Sequence, residues 1–146
     1  MSYAQISLAQ FAAAVGDRTP GPAGGSALAV TAALAAALAE LTARLSDDEA
    51  GAAEAVHLRD RLFELADEDA RVYAEFMRTK SDEARSRTIE VPQEIADRAA
   101  TIARLAQRLE REGNPRLEGD ATAARLLARA AEEGAARLVE LNRAAG

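Results

Sequence analysis

The chain has no cysteine and no tryptophan, one histidine, and aromatic residues at only 3% of its length. Each scarcity closes off a class of function. Without cysteine there is no disulfide framework, no thiolate nucleophile and no zinc–thiolate site, and the composition suits a reducing compartment. His57 has no second histidine or cysteine with which to share a metal ion, and its Glu-x-x-His with Glu54 has no second copy, so the pair that a di-iron bundle needs is missing. It reads as a surface residue, and no metal site is expected. A basic excess is also lacking: 18 Lys and Arg stand against 24 Asp and Glu, for a formal charge of -6. A chain so acidic offers little to a phosphate backbone, so no nucleic-acid partner is expected. Met1 to Gly16 carries neither the basic nor the apolar region of a signal peptide, which points to the cytoplasm. The longest apolar run, Ala27 to Ala39, stops at Glu40 after about 13 residues, short of the roughly 20 that span a bilayer, so no membrane role is expected.

What is present is alanine and leucine at helical spacing. At 146 residues the chain fits a single domain, 1–146. With 49% hydrophobic residues but almost no aromatics, its core must be built from Ala, Leu, Val and Ile, which requires helices to approach closely. Ser7 and Gln10 form a capping-box pattern for a short first helix that stops at Gly16. Two prolines and three glycines between Thr19 and Ser26 predict a loop, followed by a second helix over about Ser26–Leu45 with Ser26 as its N-cap. This helix is apolar nearly all round and should be central. Asp47 or Asp48 is placed to cap a third helix with the stripe Ala55, Leu58, Leu62, Leu65, Asp69, Val72 and Phe76. Lys80 to Glu90 reads as a polar connection. Pro92 suits the first position of a fourth helix carrying Ile95, Ala99, Ile102, Ala106 and Leu109, ended by Gly113-Asn114-Pro115. Asp120 is placed to cap a fifth, with Ala123, Leu127, Ala130, Gly134, Leu138 and Leu141 facing inward. No stretch alternates as a strand would. The expectation is an all-α five-helix bundle around a central Ala-rich helix.

Two features suggest chemistry. Asp69 interrupts an apolar seam, where an ionised carboxylate costs several kcal/mol unless partnered. Burial would raise its pKa and suit it to proton transfer; alternatively, helix rotation exposes it or an arginine neutralises it. The loop from Thr19 to Ser26 brings backbone N–H groups to a helix N-terminus, an arrangement that receives anionic or electron-rich groups but also serves as a plain turn. Faces such as Arg59, Asp60, Glu64 and Glu68, or Arg104, Arg108 and Arg111, read as solvated helix surfaces.

In their order along the chain these features resemble the cyclodeaminase/cyclohydrolase family of folate enzymes. Thr19 to Ser26 matches the family's Thr-Pro-x-Pro-Gly-Gly-Gly-Ser loop, Leu65 to Ala70 its Leu-x-Asp-x-Asp-Ala stretch, and Val91-Pro92 its Val-Pro. Gly113-Asn114, Gly119-Asp120 and Leu138 to Arg143 correspond to its Gly-Asn, Ser-Asp and closing Asn-Val-x-x-Asn-Leu signatures. The resemblance covers nearly the whole chain from Leu8. It implies a homodimer that binds a tetrahydrofolate derivative as substrate, with no tightly bound cofactor. Asp69 and Asp120 are then the candidate proton-transfer residues, Thr19, Pro20, Gly24, Gly25, Ser26 and Asn142 the candidate substrate contacts, and Gly24, Gly25 and Ser26 the groups that stabilise a tetrahedral intermediate. The sequence also departs from the pattern. Ala23 replaces a glycine, Gly119 a serine and Leu138 an asparagine, and the acidic turn Ser46 to Glu49 stands where the family is basic. These losses define an alternative, a catalytically degenerate homologue serving as a dimeric scaffold or small-ligand binder.

Overall fold

Short-range side-chain chemistry sets the start of three of the five α-helices. In the computed structural model, which describes residues 2–145, Ser7 accepts from the Gln10 backbone N–H while the Gln10 side chain accepts from that of Ser7, closing the capping box of α1 (Leu8–Val15). Asp48 caps α3 (Glu49–Thr79) by accepting from the Gly51 N–H at 2.9 Å, and Ser81 caps α4 (Asp82–Glu112) through the Ala84 N–H. Between these lies α2 (Gly24–Arg44), and the chain closes with α5 (Glu118–Ala144). Two short 3-10 turns, Tyr3–Gln5 and Pro115–Leu117, complete the order, and no strand occurs among the described residues. Helices α2 to α5 pack in sequence as an up-down-up-down bundle, with α5 returning to lie against α2. The five-helix, all-α expectation holds.

Alanine makes that bundle tight. On α2, Ala29, Ala32, Ala33, Ala35, Ala36, Ala39 and Ala43 are all buried, and the larger residues between them come from α3 and α4, namely Leu62, Leu65, Ile95 and Ile102. The helix is 21 residues long with a mean hydropathy of 1.7 over its most apolar window, so the expectation that it falls short of a span fails on length and composition. Half of that window is buried against the other helices. Its outer face is not covered: Leu34, Leu41 and Leu45 stay exposed.

Several local expectations need correction. The second helix begins at Gly24, not Ser26, because both glycines take ordinary φ and join the first turn, and at Gly25 the lack of a side chain lets that turn pack against Asp69. Ser26 is therefore not the N-cap, a position held by Ala23 without a side-chain hydrogen bond. Lys80 to Glu90 is not a connection, and Pro92 is not at a helix start. The fourth helix begins at Asp82 and runs straight through Pro92, which is buried with Val91, Ile95 and Ala96. A proline inside a helix costs about 3 kcal/mol, an amount that burying this apolar turn offsets. Finally, Asp120 does not cap the fifth helix. It sits in the first turn behind Leu117, and the buried face is Ala121, Ala124, Ala128, Ala131, Ala135 and Val139. The leucines expected inside, Leu127 and Leu141, are exposed because the close approach of α5 to its neighbours admits only small residues.

Salt bridges tie the long helices together on the outside. Arg61 of α3 meets Glu94 of α4 through Nε at 2.7 Å and Nη2 at 2.8 Å, and also reaches Glu64 and Glu68. These hydrogen bonds hold the Glu94 carboxyl down at about 2 and push the guanidinium of Arg61 up. The Arg/Glu faces are thus partly interhelical clamps and not only solvated surfaces. His57 is exposed, as expected.

Candidate functional site

Asp69 lies where four helices meet at one end of the bundle. The first turn of α2 approaches α3 so closely that a Cβ on Gly25 would overlap the carboxyl carbon and both oxygens of Asp69. One turn earlier on α3, the Ala66 carbonyl accepts from the buried Ser26 hydroxyl at 2.7 Å, which fastens the start of α2 to the helix that carries the carboxylate. The first aspartate of the same stretch has a separate task. Asp67 accepts from the Tyr3 N–H at 2.8 Å and draws the N-terminal turn against α3.

The carboxyl of Asp69 opens onto a cavity of about 170 Å³ lined by Gly21, Ala23, Gly24, Gly25, Ala70, Tyr73, Thr88, Leu138 and Asn142. Burial pushes its pKa up to about 6, and the Ser26 backbone N–H pulls back only part of that rise. The positive end of α2 also favours the anion, by about 1 kcal/mol at most exposed sites. Desolvation wins. Both protonation states of Asp69 are therefore populated near neutral pH, which is what a group that takes and returns a proton requires. The N–H groups of Gly24 and Gly25, at the open end of α2, have no helical acceptor and stand beside the cavity. They are placed to meet an oxygen or nitrogen on which negative charge builds.

Of the residues expected to form a site, Asp69, Gly24, Gly25 and Asn142 are brought together. The others are not. Thr19 and Pro20 are exposed in the loop and do not line the cavity, and the Ser26 hydroxyl is spent on Ala66. Asp120 sits at the opposite end of α5 from Asn142, about six turns or roughly 33 Å along the axis. The acidic turn lies at that far end too, where Asp48 pairs with Arg108 at 2.8 Å. There Asn114 donates its backbone N–H to the Ser46 hydroxyl and its side chain to the Leu45 carbonyl. The Gly-Asn motif is accordingly a joint between helix ends within this chain.

Two cavity residues lie outside every motif read in the sequence, Thr88 and Tyr73. Thr88 lines the cavity, and its carbonyl accepts from the Asn142 side-chain amide at 2.7 Å. Tyr3 packs edge-on against Phe11 with ring centroids 5.5 Å apart, and burial, then the charges of Asp67 and Asp69, push its hydroxyl pKa up. A larger groove of about 740 Å³ runs along the neighbouring face of α3 toward α4, between Arg71, Glu75, Arg78 and Arg87. Its walls are long surface side chains, several paired with each other, such as Arg78 with Glu75 at 2.7 Å. The smaller cavity holds the partly buried Asp69 carboxyl and is the better candidate for chemistry.

Comparison with known proteins converges on the resemblance seen in the sequence. A family model described as formiminotransferase-cyclodeaminase matches residues 7–145. The fold superimposes on the crystal structure of formiminotetrahydrofolate cyclodeaminase from Thermotoga maritima with a TM-score of 0.91 and 25% identity, covering 95% of this chain and 79% of that one. No curated protein matches the chain.

Proposed function

The chain belongs to the formiminotransferase-cyclodeaminase family, and from that premise we propose that it is a cytoplasmic, metal-independent folate enzyme of one-carbon metabolism, acting on the C–N bonds of a formimino- or methenyl-tetrahydrofolate. The observation that carries this reading is a carboxyl with a pKa near 6, partly buried against the open N-terminus of α2 and facing a cavity. In cyclodeamination, N10 of the folate attacks the carbon of the formimino group in its protonated, amidinium form and gives up its own proton to Asp69. The proton is then returned to the formimino nitrogen, the C–N bond breaks, and ammonia leaves as the N5,N10-methenyl bridge forms. In cyclohydrolysis water attacks the methenyl carbon and gives a proton to the same carboxylate, which returns it to the folate nitrogen as that C–N bond opens and the formyl group forms. The folate is substrate in both, with no resident cofactor required.

A cavity of about 170 Å³ holds the reacting centre but not a whole folate, since sites for ligands of that size run to several hundred Å³. The remainder of the substrate must lie along the surface or against a second copy. We infer a homodimer through the exposed leucines of α2 and its C-cap, Leu34, Leu41 and Leu45, which recur along one stripe. Replacing Leu34 and Leu41 together by glutamate is expected to halve the mass measured by light scattering, and an unchanged mass would remove α2 as the interface. Asp120 is at the far end of the chain from Asp69, so any part it takes in the reaction requires such a partner.

The degenerate-homologue reading has one observation in its favour: Leu138 places an alkyl group in the cavity wall where the family motif has an amide. A thermal-shift titration with 5-formyltetrahydrofolate separates the two. At a hundredfold excess over Kd, saturable binding should raise Tm by roughly 5–10 °C for a chain of this size. No shift at millimolar folate, beside an unrelated anion as control, would favour the scaffold.

A further inference from the structure

Pro92 lies outside the cavity, yet it determines what one wall of the cavity presents. In an α-helix the N–H of residue 92 would donate to the carbonyl of residue 88, and proline has no N–H. Its ring also crowds that carbonyl, tilting it away from the axis. In α4 the carbonyl left over belongs to Thr88, which lines the cavity, and its partner is the Asn142 side chain of α5, whose Nδ2 donates to it at 2.7 Å. A carbonyl oxygen accepts and never donates, so it admits the amide nitrogen and repels the amide oxygen. With Nδ2 held on Thr88, the Oδ1 of Asn142 has no protein donor among the described residues, and no buried side-chain polar atom there is left unpaired, so this oxygen is accessible, on a residue that lines the cavity.

We propose that Pro92 is a positioning residue: by leaving the Thr88 carbonyl free, it locks the Asn142 amide with its oxygen toward the cavity, as an acceptor for an N–H group of the bound ligand. Asn142 Oδ1 and the Asp69 carboxylate then present two acceptors to one small space, which selects a ligand group rich in N–H, such as an amidine, amidinium or aminopyrimidine edge. The ligand identity rests on the folate reading above; the lock itself does not.

The test is Pro92→Ala, which restores the N–H of residue 92 and its helical bond to Thr88 without removing any cavity residue. The substitution favours the helix, so the variant should fold. By calorimetry with 5-formyltetrahydrofolate, Pro92→Ala and Asn142→Ala should each weaken binding about tenfold, and the double variant should be no weaker than Asn142→Ala alone, because both remove one interaction. Multiplying effects, or full affinity in Pro92→Ala beside a loss in Asn142→Ala, would overturn the proposal. The lock is also read without folate, from the Asn142 side-chain amide protons by NMR. They should exchange slowly in the native protein and at least several-fold faster in Pro92→Ala. Equal exchange in the two proteins would overturn the lock even if folate binds, whereas absent folate binding with the expected exchange difference would discard only the ligand assignment.

Discussion

Asp69→Asn should lose turnover by two orders of magnitude or more while keeping the helical fold, and it should make the protein more stable at pH 8. The loss follows from the role. A positioned acid/base contributes roughly 10²–10⁴-fold, and asparagine fits the same space but takes no proton. The stability gain follows from burial. The Asp69 carboxyl has a pKa near 6 in the folded chain against an ordinary 3.8, so the native state binds this proton more tightly than the unfolded chain does. Its contribution to stability is therefore full below pH 4, declines as pH rises from 4 through 6, and is lost above 6. The difference amounts to an order of magnitude of 3 kcal/mol, and asparagine escapes it. Denaturant melts of the two proteins should diverge between pH 4 and pH 8, with the variant the more stable at pH 8 and the two close at pH 4. The wild-type rate should fall as pH drops below about 6, when the proton acceptor is consumed. Unchanged turnover in Asp69→Asn would remove this residue from the reaction, and parallel melts at the two pH values would show that burial does not set its titration.

How much of this was legible beforehand depended on the range of the interaction. The capping box at Ser7 and the Asp48 cap are built from residues within three positions, and the sequence displays them directly. Asp69 was legible because a carboxylate breaks an apolar stripe whose period is known. Pro92 was misplaced because its preference for a helix start is local, while the packing that carries α4 through it comes from the other helices. The inward face of α5 was misjudged for a related reason. Leucine marks the core only where there is room for it, and here the close approach of α4 and α2 reserves that place for alanine. Thr88 had no signal at all. Its part in the site belongs to a backbone carbonyl, made available by a residue four positions on and claimed by a side chain from another helix.

Gly24 and Gly25 are neighbours in one motif, and alanine at the two positions should have opposite consequences. Neither has positive φ, so backbone conformation permits alanine at both, and helix propensity favours it by up to about 1 kcal/mol. At Gly24 the new Cβ would meet only the Leu138 Cδ1, at 4.0 Å, which is ordinary contact. Gly24→Ala should therefore be as stable as the native chain or slightly more so. At Gly25 the methyl group would occupy the volume of the Asp69 carboxyl. The start of α2 has little freedom to retreat, because the buried Ser26 hydroxyl holds it to Ala66 and tightly packed alanines follow. The carboxyl must swing away, or the helices must part at a cost of about 1–3 kcal/mol. Either response takes the proton carrier from its place against the α2 N-terminus, so turnover should drop with the loss seen in Asp69→Asn even though no ionisable group has been removed. The double variant Gly25→Ala/Asp69→Ala separates collision from a general fault in α2. With the carboxyl gone, alanine at 25 should no longer destabilise, and the coupling between the two positions should approach the full cost measured for Gly25→Ala alone. Equal stability and activity in Gly24→Ala and Gly25→Ala would show that Asp69 does not lie against this helix, and the site as described would have to be abandoned.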